Sequence, residues 1–147
     1  MIPTITPDQT IRAGAHRDQA GRPGEATVVA ATAATAAFAA GGVLTQLVIV
    51  PAWRGMEPSA FLARFPTAGP TTGAVLFPIE ITSVALLGRI TYIAIRHGQP
   101  GRAGWALATA SMVGTVLLLP VYFAGANRAM LDPLFPPNAV ADELAAW

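Results

Sequence analysis

Hydrophobic residues fall into three long stretches, and most polar residues lie in the segments outside them. The stretches cover about residues 26–50, 72–95 and 103–126. Each is longer than the roughly 20 residues that a helix needs to cross the hydrocarbon core of a bilayer. Because backbone polar groups in lipid must be satisfied within the protein, these stretches are expected to be helices. The pattern predicts an all-α fold, an integral membrane helical bundle with three transmembrane helices.

The segments outside the three stretches predict smaller features. Residues 1–25 mix proline, glycine, aspartate and arginine with few large apolar residues, which is typical of a disordered tail. Residues 57–65 open with glutamate and proline and place three apolar side chains on one side, which indicates a short interfacial helix. Those side chains are Phe61, Leu62 and Phe65, with Trp53 beside them. Residues 139–147 predict a short C-terminal helical stub, so the membrane domain is expected to cover residues 26–147.

Small residues recur at helical spacing in the first and third stretches. Such stripes let two membrane helices approach closely, within one chain or between chains. Proline also lies inside the second and third stretches, at Pro78 and Pro120, and predicts a kink in each helix. The stripe residues are Ala33, Ala37 and Gly41 in the first stretch, and Gly104, Ala108, Ser111 and Thr115 in the third.

Composition narrows the class of protein. Of the 147 residues, 53% are hydrophobic and only 12% are charged, whereas a soluble domain carries about 25% charged residues. A net charge of +1 gives no electrostatic footprint for nucleic acid. The absence of cysteine excludes disulfides, thiolate metal sites and cysteine nucleophiles. The two histidines, His16 and His97, have no second ligand at a useful spacing, so no metal site is expected.

The basic residues predict an orientation. All of them are arginines, which favours a GC-rich bacterial source. Five arginines lie in the tail and in the connection after the second stretch, and three lie on the opposite side. Because loops rich in arginine stay on the cytoplasmic side of the membrane, this distribution predicts a multi-pass protein of the bacterial cytoplasmic membrane with a cytoplasmic N-terminus.

Glu80 and Arg89 are the ionisable residues inside an apolar stretch, the second. They are nine residues apart, which puts them on opposite faces of a helix and about 13 Å apart along its axis, so they cannot pair. Ionisable groups at membrane depth usually mark a functional site or a structural pair. Glu80 is therefore a general base or ion-binding carboxylate, or else it forms a structural ion pair with Arg128 or Arg54. Arg89 lies nearer the cytoplasmic end, where it is expected to snorkel.

The predicted topology gathers other polar and aromatic residues at the outer ends of the helices. Gln46, Glu80 and Asn127, with Arg128 and Tyr122, are expected to converge on a polar pocket. Other interpretations remain open for three of them: Gln46 and Asn127 as interhelical hydrogen-bond partners, and Arg128 as an interfacial anchor. Aromatic side chains of the interfacial segment are expected to form the rim of the pocket, namely Trp53, Phe61 and Phe65.

Short motifs between residues 51 and 128 resemble the anthrone oxygenase-like family of small four-helix membrane proteins. They are residues 51–53, residues 61–65 with Pro70, residues 77–80 ending at Glu80, and residues 119–128, a proline-to-asparagine stretch. The resemblance covers about residues 30–147. In that family the last helix opens with a tryptophan-containing segment bearing histidine and arginine, and this sequence ends at Trp147. The comparison therefore implies that the fourth helix is lost here or is supplied by another chain.

The resemblance implies oxygenation of an anthrone-type polycyclic aromatic without a cofactor. Glu80 would be the base, and Arg128, Asn127 and Gln46 would stabilise an enolate oxygen, with the remaining pocket residues holding the substrate. Two other functions stay open. One is a non-catalytic accessory subunit whose small-residue stripes pack against a partner membrane subunit or a second copy of the chain. The other is a small transporter component.

Overall fold

The protein is a bundle of three long helices with a short fourth helix at one end. A computed structural model describes residues 22–145, which contain no strand. The helices are α1 (Glu25–Arg54), α2 (Pro58–Arg96), α3 (Arg102–Met130) and α4 (Val140–Ala145). Three of them are long and apolar enough to cross a membrane, which confirms the predicted fold class. The predicted disorder of the tail concerns residues that lie mostly outside the described range.

Helix α2 is longer than a bilayer requires. Its 39 residues extend over about 58 Å, against a hydrocarbon core of about 30 Å. The predicted interfacial segment is helical, but it runs without a break into the second span. Glu57 starts the helix by accepting hydrogen bonds from the backbone amides of Ser59 and Ala60 at 3.0 and 3.1 Å. These bonds and one from the Ser59 hydroxyl lower the pKa of the Glu57 carboxyl, the hydroxyl bond most strongly.

The buried side of α2 follows a regular pattern. Its buried residues past the midpoint, Glu80, Ser83, Leu87, Ile90 and Ala94, are separated alternately by three and four residues. This spacing is that of a helix packing in a left-handed bundle. Leu87 and Ile90 form a core with residues of both other long helices, which include Ala31 of α1 and Met112 of α3. Helix α2 is therefore the central helix, and it packs against α1 and α3.

The small-residue stripe of α1 faces α2 within the same chain. A methyl group on Gly41 would collide with the side chain of Leu76. Ala33 and Ala37 line a groove whose other wall is Pro78, Ile79 and Thr82. Gly41 thus serves a contact inside the molecule, one of the two uses that the spacing allowed, whereas Ala33 and Ala37 remain exposed.

A second core closes the other end of the bundle. It contains the buried side chains of Trp53, Phe61, Phe65, Met130, Val140 and Leu144. The C-terminal helix α4, which the sequence predicted as a stub, docks here. Arg54 holds it by donating from Nε and Nη2 to the carbonyl oxygen of Leu144, at 3.0 and 2.8 Å.

Large apolar side chains cover the outside of the bundle. Leu47, Leu107 and Val121 are 72%, 69% and 81% exposed. Soluble monomers rarely expose a continuous apolar surface of this extent. In a bilayer, acyl chains replace water around these side chains, so their exposure carries no hydration cost.

Two of the long helices contain a wide turn in their C-terminal halves. Residues Thr45–Ile49 of α1 and Leu119–Phe123 of α3 are π-helical. The kink predicted at Pro120 is therefore a π-helical turn that contains this proline. Such turns change the direction in which the following side chains point, and they occur often at functional sites.

Candidate functional site

The side chain of Glu80 is buried inside the bundle. Its side chain is 7% exposed, and within residues 22–145 no hydrogen bond or ion pair reaches its carboxyl group. Ser83, one turn further along α2, is fully buried and donates its hydroxyl hydrogen to the Ile79 carbonyl at 2.9 Å. A buried charge without a partner is costly. A bound molecule that supplies a partner would therefore stabilise this carboxyl group.

Glu80 forms no ion pair with Arg54 or Arg128, although such a pair was one of the two interpretations of Glu80 from the sequence. The side chain of Arg54 bonds to the carbonyl of Leu144 at the end of the bundle. Arg128 is exposed and makes no ion pair with any residue of the described range. Neither arginine neutralises Glu80, so helix packing through this carboxylate is not its role in the structure.

Glu80 lies midway along α2. It is 16 residues after Arg64 and 16 residues before Arg96, which corresponds to about 24 Å in each direction. This is deeper than the outer-interface position that the predicted pocket assumed.

The register of the helices fixes what lies beside Glu80. Gly41 packs on Leu76, and Thr91 bonds to Thr109 at 2.9 Å. Antiparallel helices advance by the same rise per residue, so these contacts place Glu80 level with about residue 37 of α1 and about residue 120 of α3. The π-helical turn of α3 therefore lies at the depth of the carboxyl group.

The same register separates Glu80 from three of the predicted site residues. Gln46, Asn127 and Arg128 lie about 10 to 14 Å from it along the bundle axis, toward the end that carries α4. Gln46 and Arg128 are exposed, and Asn127 is half-buried. They are not brought together with Glu80 into one pocket, because connections of different length shift where each helix meets its neighbour.

Tyr122 is the predicted site residue that shares the depth of Glu80. It lies in the π-helical turn of α3, is 54% exposed, and packs edge-on against Phe123 with ring centroids 5.0 Å apart. By backbone register, it is the hydroxyl-bearing residue of α3 nearest in depth to Glu80.

The predicted aromatic rim is a closed core. Trp53 contacts Phe61 and Phe65 edge-on with ring centroids 5.9 and 5.8 Å apart, and the two phenylalanine rings are 5.2 Å apart. All three side chains are buried. Trp53 also lines a cavity of about 390 Å³ between the end of α1 and α4, far from Glu80.

A lipid-facing groove lies at the depth of Glu80. It has a volume of about 430 Å³ and runs between α1 and α2, with alanine methyl groups on one wall and Pro78, Ile79 and Thr82 on the other. The groove is shallow, its walls are mostly apolar, and Glu80 is not among the residues that line it. Sequence reasoning missed this groove, although its signal is present: the alanine stripe of α1 faces a proline of α2.

Metal-binding chemistry finds no support among residues 22–145. They contain no group of three or more histidine, aspartate or glutamate side chains that could hold an ion. Arg89 is exposed, while Glu80 on the same helix is buried.

Comparisons of the chain with protein-family models, with curated proteins and with solved structures found no match.

Proposed function

We propose that the protein is a membrane oxygenase that converts anthrone-type polycyclic aromatics to quinones without a cofactor, with Glu80 as the base. One observation carries this proposal: the Glu80 carboxyl group is 7% exposed and has no hydrogen-bond or ion-pair partner among residues 22–145, midway along a helix long and apolar enough to cross a membrane. Intramembrane acids are functional by default. The exposed apolar side chains of the bundle face the bilayer, where a flat aromatic molecule and dioxygen both dissolve.

The reaction needs only a base and dioxygen. The methylene carbon of an anthrone lies between two aromatic rings and is conjugated to the ring carbonyl, so its proton is acidic. The Glu80 carboxylate removes this proton, and the carbanion gives an electron pair to dioxygen, forming a C–O bond and a peroxide anion. The peroxide anion takes the proton back from Glu80.

Glu80 then removes the second methylene proton. The O–O bond breaks, the carbonyl of the quinone forms, and the departing hydroxide takes that proton and leaves as water. One oxygen atom of dioxygen ends in the quinone and the other in water, so the four electrons lost by the methylene carbon reduce one dioxygen molecule.

The developing negative charge rests largely on the substrate carbonyl oxygen. A hydrogen-bond donor at that oxygen lowers the barrier to proton removal. We assign this role to Tyr122, whose depth in the bundle matches that of Glu80. The roles first assigned to Gln46, Asn127 and Arg128 would require contacts with a more distant part of the substrate.

The location that we propose is the bacterial cytoplasmic membrane, with the N-terminus in the cytoplasm.

The test measures quinone formation from an anthrone in membranes that contain the full chain. Glu80→Gln is expected to reduce the rate to that of membranes lacking the protein, while Glu80→Asp retains part of it. Glu25→Gln, at the exposed start of α1, is the control and keeps the full rate. If Glu80→Gln accumulates normally and remains active, the proposal fails. If the Glu80→Gln variant does not accumulate, Glu80→Ala takes its place in the assay. A Glu80→Ala variant that forms quinone at the wild-type rate would also contradict the proposal.

A second candidate function, an accessory subunit, is favoured by the outer face of α3. Exposed residues there are separated alternately by three and four positions, the spacing of a helix-packing seam: Gly104, Leu107, Ser111, Gly114 and Leu118. A methyl group on either glycine would meet nothing within 4 Å. This function predicts that Gly104→Leu abolishes co-purification with a partner membrane protein or a second copy, while the monomer keeps its thermal stability. Co-purification that survives this change would reject it.

A further inference from the structure

A strip of three polar residues lies on the outer side of α2 near its C-terminal end. Arg89, Tyr92 and Arg96 are all exposed, and Tyr92 is 61% exposed. The guanidinium carbon of Arg96 lies 5.8 Å from the centre of the Tyr92 ring. At 100° per residue, the strip is about 180° away from the buried residues Leu87 and Ile90. It therefore points away from α1 and α3, toward lipid.

The depth of Arg89 requires an explanation that the bundle does not give. It lies seven residues before the last residue of α2, or about 10 Å below the helix end. A bilayer has a headgroup layer of roughly 5 to 8 Å on each side of its hydrocarbon core. If Arg96 lies in this layer, the Cα of Arg89 lies at least about 2 Å inside the hydrocarbon core. An arginine there is costly unless an anion neutralises it.

Charge at this end of the bundle favours an anion from the membrane itself. Among the described residues, four arginines and one glutamate lie here: Arg22, Arg89, Arg96 and Arg102, with Glu25. The glutamate belongs to α1, whereas the strip is on the side of α2 remote from its helix contacts. At the α4 end, three arginines face four carboxylates: Arg54, Arg64 and Arg128, with Glu57, Asp132, Asp142 and Glu143.

We propose that the Arg89–Tyr92–Arg96 strip binds the headgroup phosphate of an anionic phospholipid in the leaflet surrounding the α2–α3 turn. The planar guanidinium forks of two arginines match phosphate oxygens in bidentate geometry. Tyr92 places a phenol between them at the level of the headgroups, as interfacial tyrosines do. The acyl chains lie along the exposed apolar surface of α2, which continues from the strip toward Ile81.

The experiment compares lipid binding by the purified full chain in detergent. Native mass spectrometry gives the apparent affinity for the first bound phosphatidylglycerol and for the first bound phosphatidylcholine. The wild type is expected to prefer phosphatidylglycerol, because juxtamembrane arginines favour anionic lipid. Arg89→Gln and Arg96→Gln are each expected to weaken phosphatidylglycerol binding about fivefold and to leave phosphatidylcholine binding unchanged.

Two arginines outside the strip serve as matched controls. Arg64→Gln removes the same charge from the other end of the same helix, and Arg102→Gln removes it from the same end but from α3. Both are expected to keep the preference within twofold. An equal loss with either control would overturn the proposal in favour of net charge alone. Displacement of phosphatidylglycerol by inorganic phosphate at equal concentration would also overturn it, because the site would then bind free phosphate and not lipid.

Discussion

The aromatic core at the α4 end leaves no room for a side chain at Gly69. A methyl group there would lie 2.8 and 2.9 Å from Cε2 and Cζ of Phe65. Phe65 is buried, and its ring is held between Trp53 and Phe61, at centroid distances of 5.8 and 5.2 Å. The ring cannot rotate away without disturbing both neighbours, so Gly69→Ala must overpack this core.

The size of the effect follows from a comparison within the same helix. Replacing glycine by alanine in a helix interior gains about 0.5 to 1 kcal/mol. Overpacking a buried site costs about 1 to 3 kcal/mol. Gly73 is one turn further along α2, and a methyl group there meets nothing within 4 Å. Both substitutions gain the same stability from replacing glycine by alanine in a helix, so the overpacking cost is the difference between them. The Gly69→Ala variant is therefore expected to be about 1 to 3 kcal/mol less stable than the Gly73→Ala variant.

Thermal unfolding in detergent measures this difference. Gly73→Ala is expected to melt at or above the wild-type temperature, and Gly69→Ala below it. In a Phe65→Leu background the Gly69→Ala change should cost little, because the smaller side chain removes the collision. If both alanine variants shift the melting temperature equally, or if Phe65→Leu leaves the cost of Gly69→Ala unchanged, the packing described for this core is wrong.

Three further predictions concern contacts outside the central site. Hydrogen bonds led by the Ser59 hydroxyl lower the pKa of Glu57 below 4.5, so this cap contributes stability above pH 4.5 that is lost as pH falls through the lowered value. The unfolding temperatures of Glu57→Ala and wild type should therefore differ at neutral pH and converge in acid; a constant difference would contradict this. Arg54→Gln removes two hydrogen bonds to the end of α4 and should make that helix sensitive to carboxypeptidase, whereas unchanged resistance would mean that apolar packing alone holds it. The hydroxyl of Thr109 already donates to a backbone carbonyl, so the hydroxyl of Thr91 is the donor in the 2.9 Å bond across the α2–α3 interface. A double-mutant cycle with valine at both positions should give a coupling energy of about 0.6 kcal/mol. A coupling energy of zero would contradict this hydrogen bond.

The sequence predicted the architecture because the bilayer leaves few alternatives. A run of more than twenty apolar residues in lipid must be helical, so three runs specified three helices. The predicted ends of the helices were less accurate. Residues 57–65 were expected to form a separate interfacial helix, yet α2 continues from Pro58 to Arg96 through Pro66 and Pro70.

The candidate site was harder to predict, because it depends on helix register. Periodicity places Glu80 and Arg89 on opposite faces, which requires only one helix. Which residues of α1 and α3 lie beside Glu80 depends on how far each helix slides against α2, and contacts such as Gly41 with Leu76 decide that. The sequence therefore identified the buried carboxylate but grouped it with Gln46, which lies about 14 Å away along the axis.

The position of Glu80 inside a bundle that crosses the membrane is the claim on which the rest depends. The chain contains no cysteine, so single-cysteine variants can carry a spin label without further changes. In lipid vesicles a label on Glu80→Cys is expected to be immobilised and to collide rarely with a water-soluble nickel complex. A label on Ile81→Cys, 42% exposed at the wild-type residue, should be more mobile and should collide often with dissolved oxygen and rarely with nickel. A mobile label at position 80, or one that collides with nickel as often as a label at a water-exposed position, would contradict the account.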